Sequence, residues 1–201
     1  MKINIQLIVN RTIQILLAYL FVANISYSFF APIFAVFITN TLEGATLATI
    51  GFAIAIYSVV KSIVQIPTSR ILDKKAGELD DFYAMIAGSF LSIIYVFALL
   101  FMTKPWHLYG LEVLSGLSDG LIMAAYYSIF SNHIDRKAQA FEWSLLSVGG
   151  LTISVAIGSA LGGLIAEHLG FYSFIIIAGT LNACATLILF LVRPYLKTKR
   201  R

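Results

Sequence analysis

The sequence predicts an all-α integral membrane protein with six transmembrane helices. Three observations carry that prediction. Of the 201 residues, 59% are hydrophobic and 12% charged, the reverse of the balance in a water-soluble domain. The apolar residues gather into six long runs separated by short polar loops, and about 20 such residues suffice to cross a bilayer. Each run is continuous rather than alternating, which suits a helix that satisfies its own backbone hydrogen bonds and not a barrel strand of about 10 residues.

The first run, Thr12 to Ile38, follows a lead-in that carries Asn4, Gln6 and Asn10 and has no cleavage-like small-residue site, so it reads as interfacial and not as a signal peptide. Pro32 is expected to bend this span towards its outer end. The second run, Thr46 to Ile71, holds Lys61 near its middle and Gln65 a turn later. The third is Phe82 to Met102, and Trp106 marks the interface beyond it. The fourth, His107 to Ser131, contains Glu112 and Asp119. The fifth, Ala138 to Ala166, starts beside Trp143 at the opposite interface and is rich in glycine. The sixth, Phe171 to Val192, contains Asn182 and Thr186, expected to bond between helices. It also holds Cys184, the only cysteine, which excludes an intramolecular disulfide and reads as a packing residue.

The net charge is +4, but its placement argues for membrane orientation and not for nucleic acid. Twelve of the fourteen Lys and Arg residues lie on one side of the spans: Lys2 and Arg11, then Arg70, Lys74 and Lys75, then Arg136 and Lys137, and finally Arg193, Lys197, Lys199, Arg200 and Arg201. Lys104 alone is opposite and Lys61 lies within a span. By the positive-inside rule both termini are cytoplasmic, in the plasma (cytoplasmic) membrane, which also requires an even number of spans. The tail from Lys197 reads as an orientation signal, with attraction to anionic lipid as its second reading.

An internal repeat divides the chain. Ser69, Asp73 and Ala76 after the second span follow the same pattern as Gly163, Glu167 and Gly170 after the fifth: small, three residues, acid, two residues, small. The same offset carries Ile13 onto His107. Two three-span copies, about 12–102 and 107–193, must then lie in opposite orientation, as in the inverted repeats of secondary transporters.

Two charges lie deep in the spans. Lys61 is about 15 Å from the cytoplasmic end of its helix, and Asp119 is at the centre of the fourth span. An isolated charge there costs about 2.5–3.5 kcal/mol, so each needs a partner or a wet cavity, and each suits the other. Glu112, Ser115, Gly116, Asp119, Met123 and Tyr126 fall on one stripe by spacings of three and four. A structural ion pair and a substrate- or proton-coupling site are both consistent with this pattern.

With these features the chain resembles the amino-terminal six-helix half of a major facilitator superfamily transporter over nearly its whole length. The loop after the second span resembles that family's conformational motif at Ser69, Asp73, Lys74 and Ala76, with small residues in place of two glycines. The fifth span is similar to the family's glycine motif at Ser154, Gly158, Ser159, Gly162 and Gly163, where Ser159 replaces a proline; glycines four apart allow close helix approach. Aligning on Gly116 puts Glu112 where the family often has an arginine. The resemblance implies that the first and fourth spans border a central cavity, with Asn24, Tyr27 and Ser28 facing the Asp119 stripe.

The family pairs two such halves. The resemblance therefore implies a half-size transporter of a small organic solute or drug, working by alternating access and completed by a second bundle. A homodimer would bring Asp73 near the neighbour's residues Arg136 to Gln139 and the glycine face onto the neighbour's second span. A separately encoded half and a nonfunctional remnant are the alternatives, and a non-transporting scaffold or accessory subunit is the rival function. Enzyme chemistry is not expected. Gly116 to Gly120 match G-x-S-x-G but lie in a predicted helix instead of a strand-to-helix elbow. His107, His133 and His168 lack metal-ligand spacing, and there is no phosphate-binding glycine loop, so neither metal nor cofactor is expected.

Overall fold

The computed structural model describes residues 9–30, 32–75 and 77–197. Among these every regular element is helical: α1 (Arg11–Ser28), α2 (Phe34–Thr41), α3 (Leu47–Lys74), α4 (Leu79–Ala98), α5 (Pro105–His133), α6 (Gln139–Leu145) and α7 (Ser154–Phe190), with a π-helical stretch, Leu146–Ile153, joining α6 to α7. Four segments are long and apolar enough to cross a membrane: Leu47–Lys74, Leu79–Phe101, Pro105–His133 and Gln139–Tyr195. Exposed side chains such as Phe52, Ile63, Ile66 and Leu187 suit hydrocarbon and not water as solvent. Cys184 belongs to this outer surface, so it is not the packing residue expected.

Local chemistry sets the helix ends. Thr46 and Thr49 form a reciprocal capping box at the start of α3, satisfying amides that the first turn leaves orphaned. Asn10 accepts from the Thr12 amide to cap α1. The stretch from Thr12 to Ile38, expected as one bent span, is two helices. α1 stops at Ser28 and α2 starts at Phe34, and Pro32 stands in the gap because a ring without an N–H cannot continue the ladder.

The last segment, Gln139–Tyr195, is 57 residues long, and a straight helix of that length would run about 85 Å, nearly three bilayer cores. It breaks at Gly170, whose φ of 75° and ψ of 167° suit a residue without a side chain. Gly158, before the break, lies against Ile25 and Ser28. After it, the Ala178 carbonyl accepts from Ser26 Oγ at 2.8 Å. Residues on both arms thus meet one turn of α1, and the chain doubles back at Gly170.

α3 packs on α5, α1 on α7, and α4 on both α5 and α7. One apolar cluster gathers the start of α1 with the end of α5, through Leu16, Met85, Tyr126 and Phe130. A second gathers the end of α1 with the start of α5, through Phe29, Val96, Leu108 and Phe174. Ser115, Ser118 and Asp119 lie on α5 between Leu114, which packs on the second cluster, and Ile122, which belongs to the first.

Candidate functional site

α5 presents a different chemistry on each face. On one face Gly116 and Gly120 meet α3 so closely that an added Cβ would lie 2.8 Å from the Tyr57 carbonyl oxygen and 2.8 Å from Val64 Cβ. On another, Ser118 Oγ donates to the Gly88 carbonyl of α4 at 2.8 Å. Ser118 is therefore an interhelical tie within a continuous helix, as the helical reading of that pentapeptide requires. The third face carries Glu112, Ser115 and Asp119 towards open space.

The glycine seam positions the charged pair. Because α5 rests on the α3 backbone between Tyr57 and Val64, Asp119 comes opposite Lys61, and Lys61 Nζ lies 3.1 Å from Asp119 Oδ2. Tyr57, one turn before Lys61, donates its hydroxyl to the same carboxylate oxygen and accepts from Lys61 Nζ at 3.1 Å. The pairing expected from sequence is present, with a tyrosine added. Lys61 and Asp119 retain 28% and 25% side-chain exposure, because both open into a cleft.

That cleft has two lobes. One, of about 290 Å³, is lined by Asn24, Tyr27, Tyr57, Lys61, Gln65, Asp119 and Tyr127 among others. The other, of about 270 Å³, takes Phe30, Tyr95, Glu112 and Ser115. Tyr27, Tyr57, Ser92, Asp119 and Asn182 line both, so Asp119 stands at the junction. Asn182 donates to Ser92 Oγ at 2.8 Å, the interhelical bond expected of it. Glu112 is only 5% exposed and accepts from the Tyr95 hydroxyl at 3.1 Å.

Of the expected candidates, Asp119, Lys61, Glu112, Asn24 and Tyr27 all line the cleft. Tyr126 does not. It is fully buried beside Phe130, ring stacked on ring, while Tyr127 faces the cleft. A stripe of heptad spacing drifts about 20° per repeat, and two repeats from Glu112 carry Tyr126 into the core. Tyr57, Tyr95 and Tyr127 were not anticipated; the four-residue spacing of Tyr57 and Lys61 was the available signal.

Asn24 has a second task. Its side-chain amide donates to the carbonyls of Gly150 and Leu151 at 3.2 and 3.3 Å and to Ser154 Oγ at 2.8 Å, at the junction of the π-helical stretch with α7. Such a stretch displaces carbonyls from the ordinary ladder, and π-bulges concentrate at functional positions. Asn24→Ala is expected to cost about 1 kcal/mol and to raise labelling of a cysteine placed at Ser147. An unchanged labelling rate would remove Asn24 as the anchor of this stretch.

The glycine motif of the fifth expected span is spent inside the chain. Ser154 is buried against Asn24, Gly158 lies on Ile25 and Ser28, Gly162 lies on Phe29, and Ser159 Oγ donates to the Ser28 carbonyl at 3.4 Å. This face therefore meets α1 of its own chain and not a neighbour's second span. Gly163 alone in the motif has no atom within 4 Å of an added Cβ. In the loop motif, Ser69 Oγ donates to the Gln65 carbonyl, Asp73 and Lys74 close α3 on its exposed end, and Ala76 lies outside the described residues.

Residues 16–201 match the Major Facilitator Superfamily. The chain belongs to that superfamily. Superfamily members are membrane transporters, and the apolar helices of this one are integral to a membrane. Among curated proteins, the proton-coupled antiporter flippase LtaA of Staphylococcus saprophyticus subsp. saprophyticus is 29% identical over 137 residues, covering 68% of this superfamily member and 33% of the relative. The chain thus aligns with only a third of the relative's length.

Proposed function

We propose that this chain is a six-span half of a secondary active transporter, moving a small organic solute by alternating access around the two-lobed cleft. The observation that carries the reading is the Lys61, Tyr57 and Asp119 cluster at the junction of the two lobes. Charged groups in a membrane interior mark substrate or proton pathways when they border a wet cavity. That the similar LtaA protein is a proton-coupled antiporter favours proton coupling, and Asp119 is the proposed coupling residue.

The six spans are α1 with α2, α3, α4, α5, then α6 with the first arm of α7, then its second arm. Helix pairing supports the inverted repeat. Exchanging the first three spans for the last three turns the α3 and α5 contact into that of α1 with the first arm of α7, and both contacts are present. It also turns the bond from Ser118 to the Gly88 carbonyl into that from Ser26 to the Ala178 carbonyl, both 2.8 Å. Tyr27, on the cleft wall, is 50% exposed, which suits closure by a second bundle, either another copy or a separate half. The positive-inside count supports a cytoplasmic side for both termini, in the cytoplasmic membrane.

The test is transport into liposomes from a solute panel under an imposed pH gradient. The intact protein is expected to move at least one solute, and Asp119→Asn to lower that rate at least tenfold while inserting equally well. Full activity in Asp119→Asn rejects the coupling role. Failure of the intact protein with every solute and every partner half favours the scaffold reading.

A further inference from the structure

The charges of the cleft do not balance. Among the described residues lining its two lobes, those with formal charge are Lys61, Asp119 and Glu112. Lys61 and Asp119 neutralise each other at 3.1 Å. Glu112 is left with the Tyr95 hydroxyl as its hydrogen-bond donor, a neutral group that satisfies one lone pair but supplies no positive charge. A carboxyl group held this way at the wall of an aromatic cavity is neutralised either by a proton or by a cation in the cavity, and an ammonium ion that reaches it can take the proton's place.

We propose that the lobe containing Glu112 binds small organic ammonium ions, with Glu112 as counter-ion and the rings of Tyr27, Phe30, Tyr57 and Tyr95 as walls. The inference rests on the cleft being the solute site, as proposed above, and it names the solute's class. The protein already holds one ammonium by the same chemistry. Lys61 Nζ sits 5.4 Å from the centroid of the Tyr57 ring while bonded to Asp119. Aromatic faces attract cations through the ring quadrupole, more strongly as water is removed. The lobe is bounded by aromatic carbon with Glu112, Ser115 and Asp119 as convergent polar groups. An anion entering it would meet Glu112, and Lys61, the one cation among the described residues that line the cleft, is already engaged. A volume of about 270 Å³, at the small end of ligand pockets, which run roughly 300–1,000 Å³, suits a small amine as the occupant of this lobe.

The test compares three molecules of one shape. Tritiated choline is the probe, and 3,3-dimethylbutan-1-ol and 3,3-dimethylbutyrate, its uncharged and anionic carbon counterparts, are the competitors. The full chain is held in phosphatidylcholine nanodiscs with no gradient. Saturable choline binding is expected, with both competitors at least tenfold weaker than unlabelled choline. Glu112→Gln, checked for unchanged elution and melting, is expected to weaken choline at least tenfold, and Ser62→Ala, on the outer side of α3, to leave it unchanged. Absence of saturable choline binding, equal competition by the alcohol or the acid, or unchanged affinity in folded Glu112→Gln would each overturn the proposal. Should Glu112→Gln fail to fold, the competitor series on the intact protein decides alone. Binding without transport would leave this inference standing and count against the transport reading. Gradient-driven transport of an uncharged solute without choline binding would do the reverse.

Discussion

Gly162→Ala is expected to lower the melting temperature of the purified protein by roughly 6–12 °C, or to prevent its recovery as a single species, while Gly163→Ala leaves both unchanged. The substitutions add one methyl group to adjacent residues of one helix, so helix propensity differs little between them. Their surroundings differ greatly. A Cβ on Gly162 would overlap the Phe29 carbonyl oxygen and lie 2.6 Å from Phe29 Cα, whereas one on Gly163 would meet nothing within 4 Å. The obstruction at Gly162 is backbone, which cannot swing aside as a flexible side chain can, so the cost belongs at or above the upper end of the 1–3 kcal/mol typical of overpacking. About 2–4 °C per kcal/mol gives the stated shift. Gly158, one turn earlier, meets the Ile25 carbonyl oxygen at 2.6 Å and belongs with Gly162. Equal melting of the Gly162 and Gly163 variants would show that α1 does not rest on this face.

The fold was legible wherever one physical rule acted alone. Long apolar runs set the helices, and the cost of isolated charge in hydrocarbon set the pairing of Lys61 with Asp119. Reading failed where two rules competed. Pro32 was read as a bend because hydropathy continues past it, but the missing amide broke the helix. The glycines of the fifth span were recognised as a packing face, but four-residue spacing says that a backbone approaches and not which one. Gly158 and Gly162 chose α1. Tyr126 was assigned to the cleft by spacing, which ignores the drift of a straight helix against a seven-residue repeat, and Tyr127 took the place. Asn24 shows the limit most clearly. It lines the cleft as expected, yet its bonds to Gly150, Leu151 and Ser154 depend on a π-helical stretch that no hydropathy pattern announces.

Lys61→Met is expected to destabilise the protein more than Lys61→Met combined with Asp119→Leu. Removing the lysine leaves Asp119 with only the Tyr57 hydroxyl on an oxygen that previously had two donors. Breaking a fully buried pair costs about 3–5 kcal/mol because the remaining charge is stranded. These side chains are about a quarter exposed to the cleft, so water offsets part of that cost and a loss of about 1–3 kcal/mol is expected. Replacing both residues with apolar ones of similar size removes the stranded charge, and such replacements are often neutral or stabilising. Thermal melting of both single variants and the double variant closes the cycle, and additive losses would show that the ion pair contributes no coupling. Transport by the double variant then separates the two readings of the pair. A purely structural bridge predicts a folded double variant that transports at the intact protein's rate. A coupling role for Asp119 predicts a folded double variant that has lost at least tenfold, since the double substitution restores the packing but supplies no group to carry a proton or to hold the solute at the junction of the lobes.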